Sequence, residues 1–216
     1  MKKIITALIL SGIISINSYA DDLVTNLTIS AKNCETMAPC MVIKNNGDLL
    51  SNAMNQNKNS QETIKLIQDS IIPSINFKII TATALGSHWK EASKEQQDQL
   101  TNLFEQLLVR TYATALSKFK GSSIDISTAT IDPKNKNKAI VKSTIALPAT
   151  SDGKTKTVAI DYNLAQIKDE WKIYDVKIEN ISLVITYRSQ FDDIVDKDGI
   201  DGLISQLQKK VNTLKK

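Results

Sequence analysis

The feature that most constrains the fold is a change of hydrophobic period near residue 121. Before it, apolar residues recur at helical spacing, most clearly from Leu100 to Ala115, where an apolar stripe runs over about four turns. After it, apolar and polar residues alternate, as in strands that bury one face. Helical stripes return at the end of the chain. This order predicts an α+β fold with helices packed on one face of an antiparallel sheet.

The alternating region divides into four strands. Residues 132–138, 151–153 and 168–170 carry the Asp, Gly, Asn and Pro residues that are typical of turns. Connections this short join antiparallel neighbours, so we expect a four-stranded antiparallel meander with one face buried. The apolar positions that define the four strands are Ile124, Ile126, Val141, Ile145, Val158, Ile160, Tyr162, Trp171, Ile173 and Val176.

Local signals predict where several helices begin and end. Ser60 is a good N-cap for a helix that Pro73 ends or kinks. Ser93 followed by Gln96 forms a capping box in front of the long apolar stripe. The glycines in residues 199–202 interrupt the closing helical region.

The first twenty residues have the pattern of a secretory signal peptide. Lys2 and Lys3 precede an apolar run over residues 4–16, and residues 18–20 offer small side chains for cleavage after Ala20. The run is shorter than the roughly 20 apolar residues that a membrane span needs. We therefore expect residues 1–20 to be removed and the mature protein to be exported across a bacterial inner membrane and released.

Residues 21–43 show no clear period and are predicted to be an irregular N-terminal arm, with the first helix opening near residue 46. The arm carries Cys34 and Cys40. In an oxidising compartment an even number of close cysteines usually pairs, which favours a local disulfide. A metal site and a reactive thiol are the alternatives, but a metal would need more ligands, and His88 is the only histidine.

The net charge and the absence of known motifs argue against nucleic-acid binding and against several enzyme classes. The formal charge of +4 falls to +2 without Lys2 and Lys3, and no clustered basic face indicates nucleic-acid binding. No hydrolase, zinc-protease, P-loop or dinucleotide motif is present. His88 beside a cysteine, or Asp161 and Asp175 in a pocket, are the residues an enzyme would use. We expect no catalytic role for them, no metal and no cofactor.

Three segments together resemble a known family. They are TALGSHWKEASKEQQDQLTNLFEQLL at residues 83–108, WKIYDVKIENISLVITYRSQF at residues 171–191 and GIDGLISQLQKK at residues 199–210. In this order they are similar to the signatures of MlaC proteins, also called the toluene-tolerance or phospholipid-binding family. The resemblance favours an MlaC-like lipid-binding domain over residues 44–216. The arm with the two cysteines is not part of the family pattern.

The resemblance implies a fold similar to nuclear transport factor two, with helices backing a curved four-stranded sheet and an internal apolar pocket. Such proteins bury phospholipid acyl chains and have no catalytic residues. They carry lipid between an outer-membrane lipoprotein–porin complex and an inner-membrane ABC transporter with an MCE-domain subunit, which maintains outer-membrane lipid asymmetry. We expect a monomer with these partners.

The apolar face of the sheet and the helices opposite are the expected pocket walls. For each candidate, an ordinary core position is the alternative, and an aspartate at Val158 or Ile160 is expected to abolish lipid retention. A small enzyme on the same fold and an adaptor without a cavity are the competing hypotheses. The candidate lipid contacts are Phe104, Leu108, Val141, Ile145, Val158, Ile160, Tyr162, Trp171, Ile173, Val184 and Leu207.

Overall fold

One mixed sheet and five α-helices make up the computed structural model, which describes residues 28–31, 34, 37–55, 60–116, 122–147 and 154–214. The strands are β1 (Thr28–Ala31), β2 (Ser123–Ile131), β3 (Lys138–Ala146), β4 (Thr157–Ile167), β5 (Glu170–Ile178) and β6 (Ile181–Ser182). The helices are α1 (Ala38–Asn55), α2 (Ser60–Leu66), α3 (Phe77–Leu85), α4 (Lys94–Leu116) and α5 (Leu183–Thr213). Within the described residues no helix is long and apolar enough to cross a membrane.

In the part of the chain that the structure describes, the sheet has six strands in the order β1-β2-β3-β4-β5-β6. Strands β2 to β6 are antiparallel neighbours, while β1 lies parallel to β2. The α+β prediction is confirmed and the four predicted strands correspond to β2–β5, but the count of four is wrong. The edge strands β1 and β6 have only four and two residues, too few to show an alternating pattern.

Irregular positions shape the sheet. Lys168 and Asp169 both have positive φ, 48° and 67°, as a two-residue hairpin turn between β4 and β5 requires. The register shifts between Ile126 and Thr128 on β2, and again after Asn163 on β4. Such bulges increase the local twist, so the sheet can curve over the helices.

The prediction of an irregular arm over residues 21–43 is wrong in its described part. Residues 28–31 form β1, and α1 begins at Ala38, about two turns before the predicted start. Pro39 is compatible with this start because the N–H groups of the first turn have no intrahelical partner. Cys34 and Cys40 are both buried and form a disulfide, with Cα atoms 5.7 Å apart. The predicted signal peptide lies outside the described residues.

Several local predictions are confirmed. The Gln96 N–H donates to Ser93 Oγ at 3.1 Å, and the Ser93 N–H donates to Gln96 Oε1 at 2.9 Å, which is the predicted capping box. The interruption of the closing region is a kink in α5 at Gly199, where φ is 69° and ψ is 179°. Glycine adopts such a conformation without the steric cost that a side chain brings.

The helix predicted from Ser60 to Pro73 changes geometry along its length. It is α-helical to Leu66, π-helical over Ile67–Ile71 and 3₁₀-helical over Ile72–Ser74. Pro73 lacks the N–H that an α-helix would use here, and α3 begins only after a short extended step at Ile75. We call residues 60–74 the mixed helical segment.

Buried apolar side chains form three separate clusters. The helical cluster joins α3, α4 and α5 and includes Phe77, Ile80, Phe104, Leu108, Val184 and Leu207. The sheet cluster joins the disulfide, α1 and the sheet and contains Cys34, Cys40, Ile43, Ile126, Val141, Leu164 and Ile173. The lateral cluster joins the mixed helical segment to α4 and contains Ile67, Ile71, Val109 and Ala113.

Candidate functional site

A cavity of about 310 Å³ lies where the three clusters meet without merging. Ile80 on its wall belongs to the helical cluster, Ile173 to the sheet cluster and Ile67 to the lateral cluster. The wall residues are Ile43, Asn46, Gly47, Leu50, Ile67, Ile71, Ile72, Ile75, Phe77, Ile80, Phe104, Leu108, Val109, Tyr112, Ala113, Ile124, Ile126, Tyr162, Ile173, Asp175, Val176, Leu183 and Val184. The volume is in the range typical of ligand sites, about 300–1,000 Å³.

Asp175 is the one carboxylate among the described residues of the cavity wall, and it accepts several hydrogen bonds. Its oxygens accept from Ser182 Oγ at 2.8 Å, from Asn163 Nδ2 at 3.3 Å and from the Val184 N–H at 3.3 Å. The last bond places the carboxylate at the N-terminus of α5, where the helix dipole favours a negative charge. Asp175 therefore holds the start of α5 against β4 and β5, and its charge is compensated within the protein.

The tyrosines of the wall remain neutral at ordinary pH. Burial raises the pKa of Tyr112 far above its usual range, and the neighbouring Tyr187 makes a smaller contribution in the same direction. Burial also raises the pKa of Tyr162, although a hydrogen bond with Ser143 acts in the opposite direction. Since the rest of the wall is almost entirely aliphatic or aromatic, the cavity suits a ligand that is itself a hydrocarbon.

The structure brings together five of the eleven candidate residues. Phe104, Leu108, Tyr162, Ile173 and Val184 line the cavity. They come from α4, β4, β5 and α5, as expected for a space between the sheet and the helices.

The other six candidates lie outside the wall. Val141 is fully buried in the sheet cluster, which also contains Cys40 and Ile43 of α1, and Trp171 packs against the same cluster. Leu207 fills the helical cluster. The remaining three are Ile145 on β3 and its half-buried neighbours Val158 and Ile160 on β4. Helix α1 packs against β2, β3 and β5 and therefore occupies part of the predicted pocket wall.

Sequence reasoning missed the walls formed by α1, the mixed helical segment and α3. The helical spacing of Ile64, Ile67 and Ile71 predicted a buried stripe, which is the signal that could have pointed to this wall. Periodicity shows which side chains avoid water. It does not show whether they meet other side chains or an empty space.

His88 lies among carboxylates. Its Nδ1 is 3.0 Å from Glu91 Oε2, and its Nε2 is 3.7 Å from Asp192 Oδ1 and 3.8 Å from Asp196 Oδ1. The two cysteines that it could have activated are bonded to each other. In the part of the chain that the structure describes, no group of three His, Cys, Asp or Glu residues is arranged to hold a metal ion.

Comparison with known proteins identifies the family. The model of the family described as MlaC protein matches residues 44–209, well over half of the chain. The chain belongs to the MlaC family. A relative from Haemophilus influenzae, named intermembrane phospholipid transport system binding protein MlaC, is 22% identical over 161 residues, which cover 73% of this chain and 74% of that protein.

Two further similarities extend the match. The toluene tolerance protein ttg2D of Pseudomonas putida is 22% identical over 176 residues, 81% of this chain and 79% of its own length. A solved structure of a phospholipid-binding protein from Ralstonia solanacearum, in complex with a phospholipid, superposes with a TM-score of 0.70 at 30% identity. That match covers 83% of this MlaC chain and 99% of the Ralstonia chain.

Proposed function

We propose that this MlaC-family protein is a phospholipid carrier that encloses acyl chains in the cavity between its sheet and helices. The single observation that carries the proposal is an apolar cavity of about 310 Å³. The similarity to a protein solved with a bound phospholipid supports it, as does the name of the Haemophilus influenzae relative. Phe104, Leu108, Tyr162, Ile173 and Val184 are the proposed lipid contacts among the residues predicted from sequence.

The energetics favour a carrier over free diffusion of lipid. An acyl chain in water costs about 0.8 kcal/mol per exposed methylene, so two ordinary chains cost on the order of 25 kcal/mol. A dry cavity removes this cost for the methylenes that it encloses while the polar head group stays in water. Because the membrane interior and the cavity are both apolar, transfer between them is close to balanced, which lets the carrier release its cargo.

The proposed location is the periplasm, reached through the signal peptide at residues 1–20 with cleavage after Ala20. The proposed partners are the outer-membrane lipoprotein–porin complex and the inner-membrane ABC transporter with its MCE-domain subunit. Shuttling between them would maintain the lipid asymmetry of the outer membrane. This proposal is supported by the pattern of residues 1–20 and by family membership.

The two competing functions have less support. An adaptor that acts through protein contacts alone would not need an apolar cavity between three clusters. An enzyme would need an available acid or base in the cavity, and Asp175 already accepts three hydrogen bonds. The relatives are named for binding, transport and tolerance, with no enzyme among those names.

Lipid analysis of the native protein tests the proposal. The protein is purified without detergent, extracted with organic solvent and analysed by mass spectrometry. We expect about one phospholipid per protein molecule. Extracts that contain no lipid, from protein with a cooperative unfolding transition, would argue strongly against a carrier.

A further inference from the structure

The cavity volume limits how much lipid can enter without rearrangement. An apolar cavity of about 150 Å³ accommodates benzene, so by the same measure the cavity of about 310 Å³ holds roughly 12 carbons. Two ordinary acyl chains carry about 30 methylenes. Most of one chain fits the cavity as it stands, and a second chain requires a wall to move.

The mixed helical segment has the geometry of a movable wall. Within 15 residues it passes from α-helix to π-helix to 3₁₀-helix. The Ile72 N–H donates to the Ile67 carbonyl, five residues back, and the Ile75 N–H donates to the Ile72 carbonyl at 2.9 Å. Short π-helical and 3₁₀ turns of this kind are common at hinges and functional sites.

The inward face of the segment is apolar at the two residues that are most buried. Ile67 and Ile71 face inward, line the cavity and pack against Val109 and Ala113 of α4. The outward face, which includes residues 68–70, is exposed. An outward movement would exchange apolar contacts with α4 for apolar contacts with an acyl chain.

Polar contacts fix the C-terminal end of the segment. Lys172 Nζ on β5 donates to the Pro73 carbonyl at 2.7 Å, and Asn46 Nδ2 on α1 donates to Ser74 Oγ at 2.6 Å. Just beyond, the Asn76 N–H donates to the Ile173 carbonyl at 2.8 Å. These bonds place the fixed point of any movement at residues 73–76.

We propose that the cavity as it stands receives one acyl chain, and that the mixed helical segment moves outward about residues 73–76 to admit the second. The inference rests on the proposed carrier function, and it adds that one-chain and two-chain lipids differ in whether their binding moves the wall. One-chain lipids bind to the resting wall, and two-chain lipids displace it.

Hydrogen exchange with mass spectrometry tests the movement. The delipidated protein is compared alone, with monopalmitoyl phosphatidylethanolamine and with dipalmitoyl phosphatidylethanolamine. We expect the two-chain lipid to speed exchange in residues 60–72 while α4 becomes protected, and the one-chain lipid to protect both. If both lipids bind and residues 60–72 respond identically, the carrier proposal stands and the movable wall is wrong. If neither lipid binds, both proposals fail.

A matched pair of serine variants tests the fixed point. Ser74→Ala removes the acceptor of the Asn46 bond and also the bond from Ser74 Oγ to the Ile71 carbonyl, whereas Ser70→Ala changes an exposed serine of the same segment. We expect Ser74→Ala to speed release of the two-chain lipid about fivefold, the factor for the lost bond to α1, because the bond to Ile71 lies within the segment itself. In Ser74→Ala, release of the one-chain lipid should be unchanged. In Ser70→Ala, release of both lipids should be unchanged. Equal acceleration of both lipids, or no acceleration, would overturn the assignment.

Discussion

A larger side chain at Ala113 would fill part of the cavity and would show whether the cavity serves lipid binding or folding. Ala113 lies on α4, is buried and lines the cavity. In Ala113→Phe the added ring is close in size to benzene, which a cavity of about 150 Å³ holds, so it takes up roughly half of the 310 Å³ available. The remaining space is too small for the greater part of one acyl chain.

The effect of this change on stability follows from the space around it. Burying the ring contributes about 2 kcal/mol, and replacing alanine in a helix costs about 0.5 kcal/mol, so the free energy of unfolding should be unchanged or slightly higher. The matched control is Ala139→Phe on β3, where Ala139 is 2% exposed, lies opposite Leu164 and is not on the cavity wall. Overpacking there should cost about 1–3 kcal/mol.

Urea unfolding and lipid analysis together provide the readout. Ala113→Phe should lose at least half of its copurified phospholipid and keep its unfolding midpoint. Ala139→Phe should be destabilised, with a melting temperature lower by several degrees, since about 1 kcal/mol shifts it by roughly 2–4 °C in a protein of this size. If Ala113→Phe is destabilised as much as Ala139→Phe, or retains its full lipid content, the cavity is not the lipid site.

Three further outcomes are expected. Cys34→Ser should lower the free energy of unfolding in urea by about 2 kcal/mol, as for a short disulfide loop, and leave the lipid content nearly intact. Ile160→Asp, contrary to the expectation from strand alternation, should keep its lipid by mass spectrometry, because Ile160 lies outside the cavity wall. Burial raises the pKa of Tyr112, Tyr162 and Tyr187. Above about pH 10, the unfolded chain therefore loses its tyrosine protons at a lower pH than the folded chain does. The free energy of unfolding then falls as the pH rises, and Tyr112→Phe should make that fall shallower.

The sequence predicted those parts of the fold that have long or local signals. Strands β2–β5 have nine to eleven residues, long enough for apolar and polar residues to alternate visibly, and β3 buries every second residue over most of its length. The Ser93–Gln96 capping box depends on residues three apart and was also predictable. Strands β1 and β6 depend on pairing with distant residues and are too short for a pattern. The start of α1 was missed for a similar reason, because its first turn contains Pro39 and Cys40 and shows no apolar stripe of helical period.

The cavity could be predicted in part. Val141 and Ile173 both alternate toward the interior, yet only Ile173 lines the cavity, while Val141 is packed within the sheet cluster together with residues of α1. Ile67 and Ile71 follow a helical stripe that would look the same in a fully packed core. Whether a buried residue lines the cavity depends on how helices and strands pack in three dimensions. The spacing of residues along the chain does not show that packing.

The chemistry of the cavity wall is itself an argument for a hydrocarbon ligand. The wall is almost entirely apolar, and protein interiors normally fill such space with other side chains. In measured cases, lost contacts of this kind cost about 24 cal/mol per Å³ of cavity. Larger side chains at Ala113 or Gly47 could supply part of these contacts. A hydrocarbon chain would supply them as well, and it would join the three clusters across the cavity.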